Sequence, residues 1–271
     1  MGLYRTNGIV LRSIKLSETD KLVTFMTEHF GKVKCVAKGA RKIKSRFVGS
    51  LEPMSYVYLI YFGKENQQLY SLNHADIIQS FHQVREDFQK IYTGIYLNEL
   101  VDAMLAEAHE EKQIFQLLLD SLNALQNQSN LETLCRMFEI RLLSLTGHKP
   151  ELNHCIVCKT DTVNGWVGFS YNRRGIVCGG CMKKTSVEIK FSTGTLNYLR
   201  KLLTLNINCS GRLKFPKGMA EEVEKVTHRL ILAHVGRELK SYPFIKSMAA
   251  IGQRDAGPSS NVRSASAKTM Y

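Results

Sequence analysis

Tyr56-Val57-Tyr58-Leu59-Ile60-Tyr61-Phe62, closed by Gly63, is a β-branched and aromatic run that ends on a turn residue. Leu69-Tyr70-Ser71-Leu72 follows it. Ile9-Val10-Leu11, Leu22-Val23-Thr24-Phe25 and Val33-Lys34-Cys35-Val36-Ala37 precede it, with Gly31 marking another turn. Short runs of this composition, bounded by such punctuation, read as strands. About five of them within residues 1–80 predict a small β-barrel, and an OB-fold has that size and strand number.

Beyond residue 80 the apolar period changes from strand-like to helical. Phe88, Ile91, Tyr92, Ile95, Val101, Met104 and Leu105 form one stripe. Ile114, Phe115, Leu118, Leu122 and Leu125 form a second, and Leu131, Leu134, Phe138, Leu142 and Leu145 a third. Gly147 stands where a helix C-cap glycine belongs, with Pro150 beyond it. Residues 192–204 and 217–240 are expected to be helical as well. The sequence therefore predicts an α+β multidomain chain. An N-terminal OB-fold β-barrel (1–80) is followed by an α-helical domain (81–248) with an embedded zinc-ribbon element at about 152–190. Residues 249–271, rich in Gly, Ala, Ser and Asn and without periodicity, are expected to be disordered.

The ribbon is read from cysteine spacing. Of seven cysteines, four form the C-x2-C pairs Cys155/Cys158 and Cys178/Cys181, with nineteen residues between them. Each pair aims two thiolates at one point, and two pairs complete a tetrahedron, which is the two-knuckle zinc pattern. Gly165-Trp166-Val167-Gly168-Phe169-Ser170 and Ile176-Val177 read as strands joined by the turn Tyr171-Asn172-Arg173-Arg174-Gly175. Four thiolates leave no open coordination position, so one structural Zn²⁺ is expected rather than a catalytic one. A redox dithiol is the competing reading, but no βαβ pattern surrounds either pair. Cys35, Cys135 and Cys209 are expected to be free thiols.

Charge carries the functional signal. The 271-residue chain holds 37 Lys and Arg against 24 Asp and Glu, a net +13. The excess is uneven: +6 over residues 1–80, −4 over 81–150, +9 over 151–248 and +2 over the tail. Two basic regions flank an acidic middle, which points to a polyanionic partner rather than a solubilising coat. No stretch reaches eighteen apolar residues, so no membrane span is expected. The first residues lack the apolar core of a signal peptide, and the protein is expected in the cytoplasm.

The densest cationic run is Lys32 to Arg46, KVKCVAKGARKIKSR. It contains Lys32, Lys34, Lys38, Arg41, Lys42, Lys44 and Arg46 and no acid. Lys32 and Lys34 alternate along a strand and are expected on its solvent face. The other cations follow in a loop where Gly39 and Ala40 allow close backbone approach. These seven are the candidate DNA-binding residues, neutralising phosphates beside a barrel. Tyr56, Tyr58, Tyr61 and Tyr70 either stack on unpaired bases or pack within the barrel; the cations carry the reading. Arg200, Lys201, Arg212, Lys214 and Lys217 form a second candidate set.

Enzyme signatures are missing. The chain has neither G-x-x-x-x-G-K-[ST] nor G-x-G-x-x-G, and His109-Glu110-Glu111-Lys112-Gln113 fails the H-E-x-x-H pattern. Glu18, Asp20 and Glu28 form an imaginable metal-nuclease cluster, but turns and strand edges account for them. No catalytic residue is assigned. The two readings that survive are a DNA-binding protein and a zinc-ribbon RNA-binding or transcription-associated module.

Three motifs in order favour the first. Ser17-Glu18-Thr19-Asp20-Lys21-Leu22-Val23-Thr24 precedes Gly31-Lys32-Val33 and Ala37-Lys38-Gly39-Ala40-Arg41-Lys42. Phe138-Glu139-Ile140-Arg141-Leu142-Leu143 precedes Gly147, Pro150 and the four cysteines. Val235-Gly236-Arg237-Glu238-Leu239-Lys240-Ser241 follows. From about residue 1 to 246 the chain resembles the RecO family of bacterial recombination mediators. The resemblance implies an OB-fold, a helical bundle and a zinc-ribbon element, with no bond chemistry. It implies binding to single- and double-stranded DNA, annealing of complementary strands, and engagement of RecR and of the single-stranded DNA-binding protein SSB. It further implies indirect help in placing RecA on gapped DNA, and so an association with the nucleoid. The acidic C-terminal tail of SSB is expected on the basic C-terminal part.

Overall fold

The structure is a computed structural model that describes residues 2–64, 67–107, 111–161, 165–213, 216 and 218–252. Its first strands are β1 (Gly2–Lys15), β2 (Lys21–Thr27), β3 (Gly31–Ala37), β4 (Tyr56–Gly63) and β5 (Tyr70–Gln79). They pair in the order β1-β2-β3-β5-β4, and β4 returns to β1 to close the barrel. All neighbours are antiparallel except β3 and β5, which meet in parallel at Cys35–Tyr70 and Val36–Ser71. Alternation sets the interior: Val57, Leu59 and Tyr61 of β4 point inward, against Val10, Val23, Phe25, Val33, Cys35 and Leu72. The segment between β3 and β4 contributes Phe47 and Leu51 to the same core, which fastens that long connection to the barrel.

The remaining elements are α1 (His82–Arg85), α2 (Phe88–Met104), α3 (Lys112–Asn127), α4 (Leu131–Leu145), β6 (Trp166–Ser170), β7 (Gly175–Val177), α5 (Gly179–Met182), β8 (Ile189–Ser192), α6 (Thr193–Thr204), a 3₁₀ turn at Ile207–Arg212, α7 (Met219–Val235) and α8 (Tyr242–Gly252). The helix starts are local chemistry. Asp87 accepts from the N–H groups of Gln89 and Lys90, Asn130 from Thr133, and Ser192 from Thr195. Gly147 is left-handed at φ 78°, and the N–H of His148 bonds back to the Leu143 carbonyl at 2.7 Å, closing α4 as expected.

Helix α4 lies at the centre, packed on α2, α3, α6 and α7. Its buried Glu139 accepts from the Tyr96 hydroxyl of α2 (2.6 Å) and the Thr227 hydroxyl of α7 (2.5 Å), and pairs with Arg136 at 3.0 Å. Barrel and helices share a core: Ile9, Leu11 and Met26 join the helical cluster. Asn98 of α2 donates to the carbonyls of Val10 and Leu11, where β1 bulges against β2.

Several expectations are corrected. The first helical stripe is only partly the buried face of α2: its Val101 and Met104 are buried, but Phe88 is 78% exposed and Ile95 is also exposed, while Tyr96, Leu97 and Leu100, off the stripe, are fully buried. The helix touches β1, α1, α3, α4, α7 and α8, so no single stripe defines its interior. The helix expected over 217–240 spans Met219–Val235 and stops at Gly236, left-handed at φ 74°. Helix α8 carries helical structure through Gly252, into the stretch expected to be disordered from 249; residues 253–271 lie outside the described residues. Among the described residues, no helix is long and apolar enough to cross a membrane.

Candidate nucleic-acid interface and metal centre

The basic run divides into two parts with different surroundings. Lys32 is a correction: it is only 7% exposed, because the end of α2 covers it. Its ammonium donates to the Asp102 carbonyl at 2.6 Å and pairs with the Asp102 carboxylate at 3.4 Å. Lys34 pairs with Glu107 just beyond that helix. These two cations fasten the barrel to α2.

Lys38, Arg41, Lys42, Lys44 and Arg46 are exposed on the connection after β3. A short turn between β1 and β2 holds that connection. The Asp20 carboxylate accepts from the Gly39 N–H at 2.8 Å, and the Thr19 carbonyl accepts from the Arg41 N–H at 2.9 Å. The Arg41 guanidinium donates to the carbonyls of Ser17 and Glu18, each at 2.9 Å. Gly39 sits at φ 71°, a left-handed conformation that suits glycine. The Gly39 N–H, helped by the Thr19 hydroxyl, holds the Asp20 carboxyl below its ordinary value. Phe47 lies buried beneath, with the Arg46 guanidinium 4.9 Å above its ring. The result is a run of exposed positive charge whose backbone is anchored at Gly39 and Arg41, an arrangement that could meet a row of phosphates with little backbone reordering.

Asp20 is therefore a positioning residue for this loop. The imagined acidic cluster does not assemble. Glu18 pairs with Lys15, Glu28 accepts from Asn7, and Asp20 is turned to Gly39. The barrel tyrosines are divided. Tyr61 and Tyr70 pack edge to face at 5.0 Å, with Tyr4 stacked on Tyr61 at 5.1 Å. Tyr56 packs near Phe115, and Tyr58 is half-buried. In the second candidate set, Arg200 donates to the carbonyls of Leu152 and Asn153, whereas Lys201 and Arg212 are exposed. Lys214, Lys217, His109 and Glu110 lie outside the described residues.

Strands β7, β6 and β8 form a small antiparallel sheet. Val167, Phe169, Ile176 and Phe191 turn one face into the helical core. Strand β8 was not expected; its four residues, Ile189-Lys190-Phe191-Ser192, are too few to show a period. The four cysteines gather on the other side, all Sγ atoms within 4.8 Å of one another. Cys158 and Cys178 are the pair at 3.6 Å. Four Zn–S bonds of about 2.3 Å in a tetrahedron separate their sulfurs by roughly 3.8 Å, so the observed cluster fits.

Backbone geometry prepares the donors. Burial opposes ionisation of Cys155, but the N–H groups of Cys158, Cys178 and Val157 point at its sulfur and bring the thiol down to about 6. Hydrogen bonds with its neighbouring thiols push Cys181 up to about 12. Four thiols at one point resist joint ionisation without a cation among them. The cluster could hold a metal ion. Its local core is small: Cys155, Ile156 and Val177. Of the other thiols, Cys35 and Cys135 are buried, and burial raises both.

Comparison with known proteins follows this division. Residues 1–81 match the family model "Recombination protein O N terminal", and residues 85–243 match "Recombination protein O C terminal". The DNA repair protein RecO of Symbiobacterium thermophilum is 33% identical over 251 residues, covering 92% of this chain and 98% of the relative. The namesake of Alkaliphilus metalliredigens is 32% identical, covering 87% of this chain and 95% of its own. That of Syntrophus aciditrophicus is 31% identical, covering 92% and 97%.

Proposed function

The chain belongs to the RecO family of DNA repair proteins, and from that premise we propose that it is a non-enzymatic recombination mediator with an N-terminal OB-fold. It binds single- and double-stranded DNA, anneals complementary strands and, with RecR, helps RecA onto SSB-coated DNA. The observation that carries this reading is the row of exposed cations from Lys38 to Arg46, fixed on a closed barrel by Asp20 and Thr19. Phosphate contacts of this kind bind without reading sequence.

The cysteine cluster holds one Zn²⁺ as a structural ion in a zinc ribbon. Cys155, Cys158, Cys178 and Cys181 are its ligands, and the metal ties the two knuckles together where the apolar core is too small to do so. The acidic tail of SSB docks on the basic C-terminal part by charge complementarity. Its work with DNA places the protein in the cytoplasm, on the nucleoid.

Annealing needs no bond chemistry. Holding two strands on one polypeptide raises their local concentration and screens phosphate repulsion. The test is the rate of duplex formation from labelled complementary strands coated with SSB, without ATP. A rate above the uncatalysed one, falling at high salt, supports the proposal. Binding with the rate unchanged would reduce the protein to a plain nucleic-acid-binding module.

A further inference from the structure

Trp166 is the only tryptophan of the chain and the first residue of β6. Its strand neighbours Val167 and Phe169 are fully buried in the helical core, but Trp166 is 63% exposed. Strand alternation explains the contrast. Trp166 faces the opposite side with Gly168 and, across the β6–β8 pairing, with Lys190 and Ser192. This is the face that carries the cysteines. Val177, paired with Gly168, belongs to the core of Cys155 and Ile156, and a Cβ on Gly168 would strike Met182 and Val187. Among the described residues no hydrogen bond or ring contact engages the indole.

A single exposed apolar side chain is ordinary on a protein surface. The company of this one is not. Lys183, Lys184 and Lys190 are exposed on the same element, and Lys159 is exposed on the first knuckle. The three acids of residues 149–192 are all engaged: Glu151 accepts from the N–H groups of Asn153 and His154, Asp161 pairs with His154, and Glu188 accepts from Tyr171 N–H. Gly179 lies beside the Trp166 carbonyl, so the backbone there is bare. An exposed aromatic ring sharing its element with exposed lysines that, among the described residues, have no ion-pair partner is the composition of a single-strand stacking platform.

We propose that Trp166, with Lys183, Lys184 and Lys190, forms a second single-stranded DNA contact on the cysteine element, separate in sequence from the barrel loop. The indole stacks on an unpaired base and the ammoniums meet the flanking phosphates. A duplex offers no free base face, so this contact distinguishes single from double strands. The inference rests on the DNA-binding reading above.

The sole tryptophan reports on the site directly. The full-length protein, purified under reducing conditions, is titrated with a thymidine oligomer of about thirty nucleotides. Tryptophan emission is read on the unlabelled oligomer and anisotropy on a labelled copy. The expected result is saturable quenching that tracks the anisotropy, weak or no quenching by a duplex, and none by an abasic oligomer of equal length. Trp166→Ala should weaken binding of the thymidine oligomer roughly ten-fold, with Trp166→Phe close to wild type. Saturating anisotropy with unchanged emission would overturn the stacking site and leave the DNA-binding reading standing. Equal loss of affinity in the Ala and Phe variants would also overturn it. Absence of any anisotropy change would remove both.

Discussion

The Asp20 carboxylate accepts a 2.8 Å hydrogen bond from the N–H of Gly39, joining the turn before β2 to the first residues of the cationic loop. The two segments are held against each other by a second bond, from the Arg41 N–H to the Thr19 carbonyl. Asp20→Ala should therefore leave the barrel folded but release the loop. DNA affinity should drop several-fold while circular dichroism and thermal midpoint stay near wild type. Retained affinity in this variant would show that the loop needs no anchor. The pH dependence has a definite sign. The Gly39 N–H lowers the Asp20 pKa, so the anchor is fully present above the ordinary carboxylate value of 3.8 and is lost as pH falls through the lowered one.

Glu139 is fully buried between Tyr96, Thr227 and Arg136, on three different helices counting its own. Glu139→Gln removes the charge that balances the buried Arg136 guanidinium and should destabilise the chain by about 3 kcal/mol in urea unfolding. Tyr96→Phe, which removes one hydrogen bond and keeps the ring, should cost about 1 kcal/mol. A smaller loss for Glu139→Gln than for Tyr96→Phe would mean that the ion pair is not what holds α2, α4 and α7 together.

The cysteine cluster should lose metal in Cys155→Ser and Cys181→Ser. Elemental analysis of the wild-type protein, purified under reducing conditions, should return about one zinc per chain, the capacity of one four-thiolate site. In both variants the environment of Trp166 should loosen first, because apart from the cysteines the apolar cluster of that element consists, among the described residues, of Ile156 and Val177 with Met182 and Val187 packed against them. A wild-type protein without zinc would sink the assignment.

How much of this was legible depended on the range of the contacts involved. The barrel strands and the cysteine cluster were readable because their signals are local: β-branched runs between glycines, and two thiols per knuckle. The glycine stop of α4 at Gly147 was local in the same way. The buried face of α2 was not, since neighbours surround it and Asn98 is buried by its bonds to β1. Lys32 was misplaced for a similar reason. Its strand alternation is correct, but the element that covers it arrives seventy residues later. The loop anchor at Asp20 appeared in the sequence only as part of a motif. Its partner Gly39 is fixed by tertiary structure.

The division within the basic run makes the last prediction. Lys32 is tied to Asp102, whereas Arg41 and Lys42 are exposed and face no carboxylate within ion-pair distance among the described residues. Lys32→Met should cost about 1–2 kcal/mol of stability, because it removes the buried ammonium from the Asp102 carbonyl and carboxylate and leaves that carboxylate only the more exposed Arg12 at 3.7 Å. It should barely alter the salt dependence of DNA binding, because that ammonium is not available to displace counterions. Charge removal at Arg41 and Lys42 together should do the reverse. If the five exposed cations each neutralise one phosphate of a single strand, log K falls against log salt with a slope of roughly −3.5. Loss of two should flatten it to roughly −2.1, with affinity down and unfolding unchanged. Filter binding across a salt series, beside urea melts of both variants, separates the cases. A flattened slope in Lys32→Met, or an unaltered one in the double variant, would move the phosphate contacts away from the loop and toward the exposed cations Lys201 and Arg212.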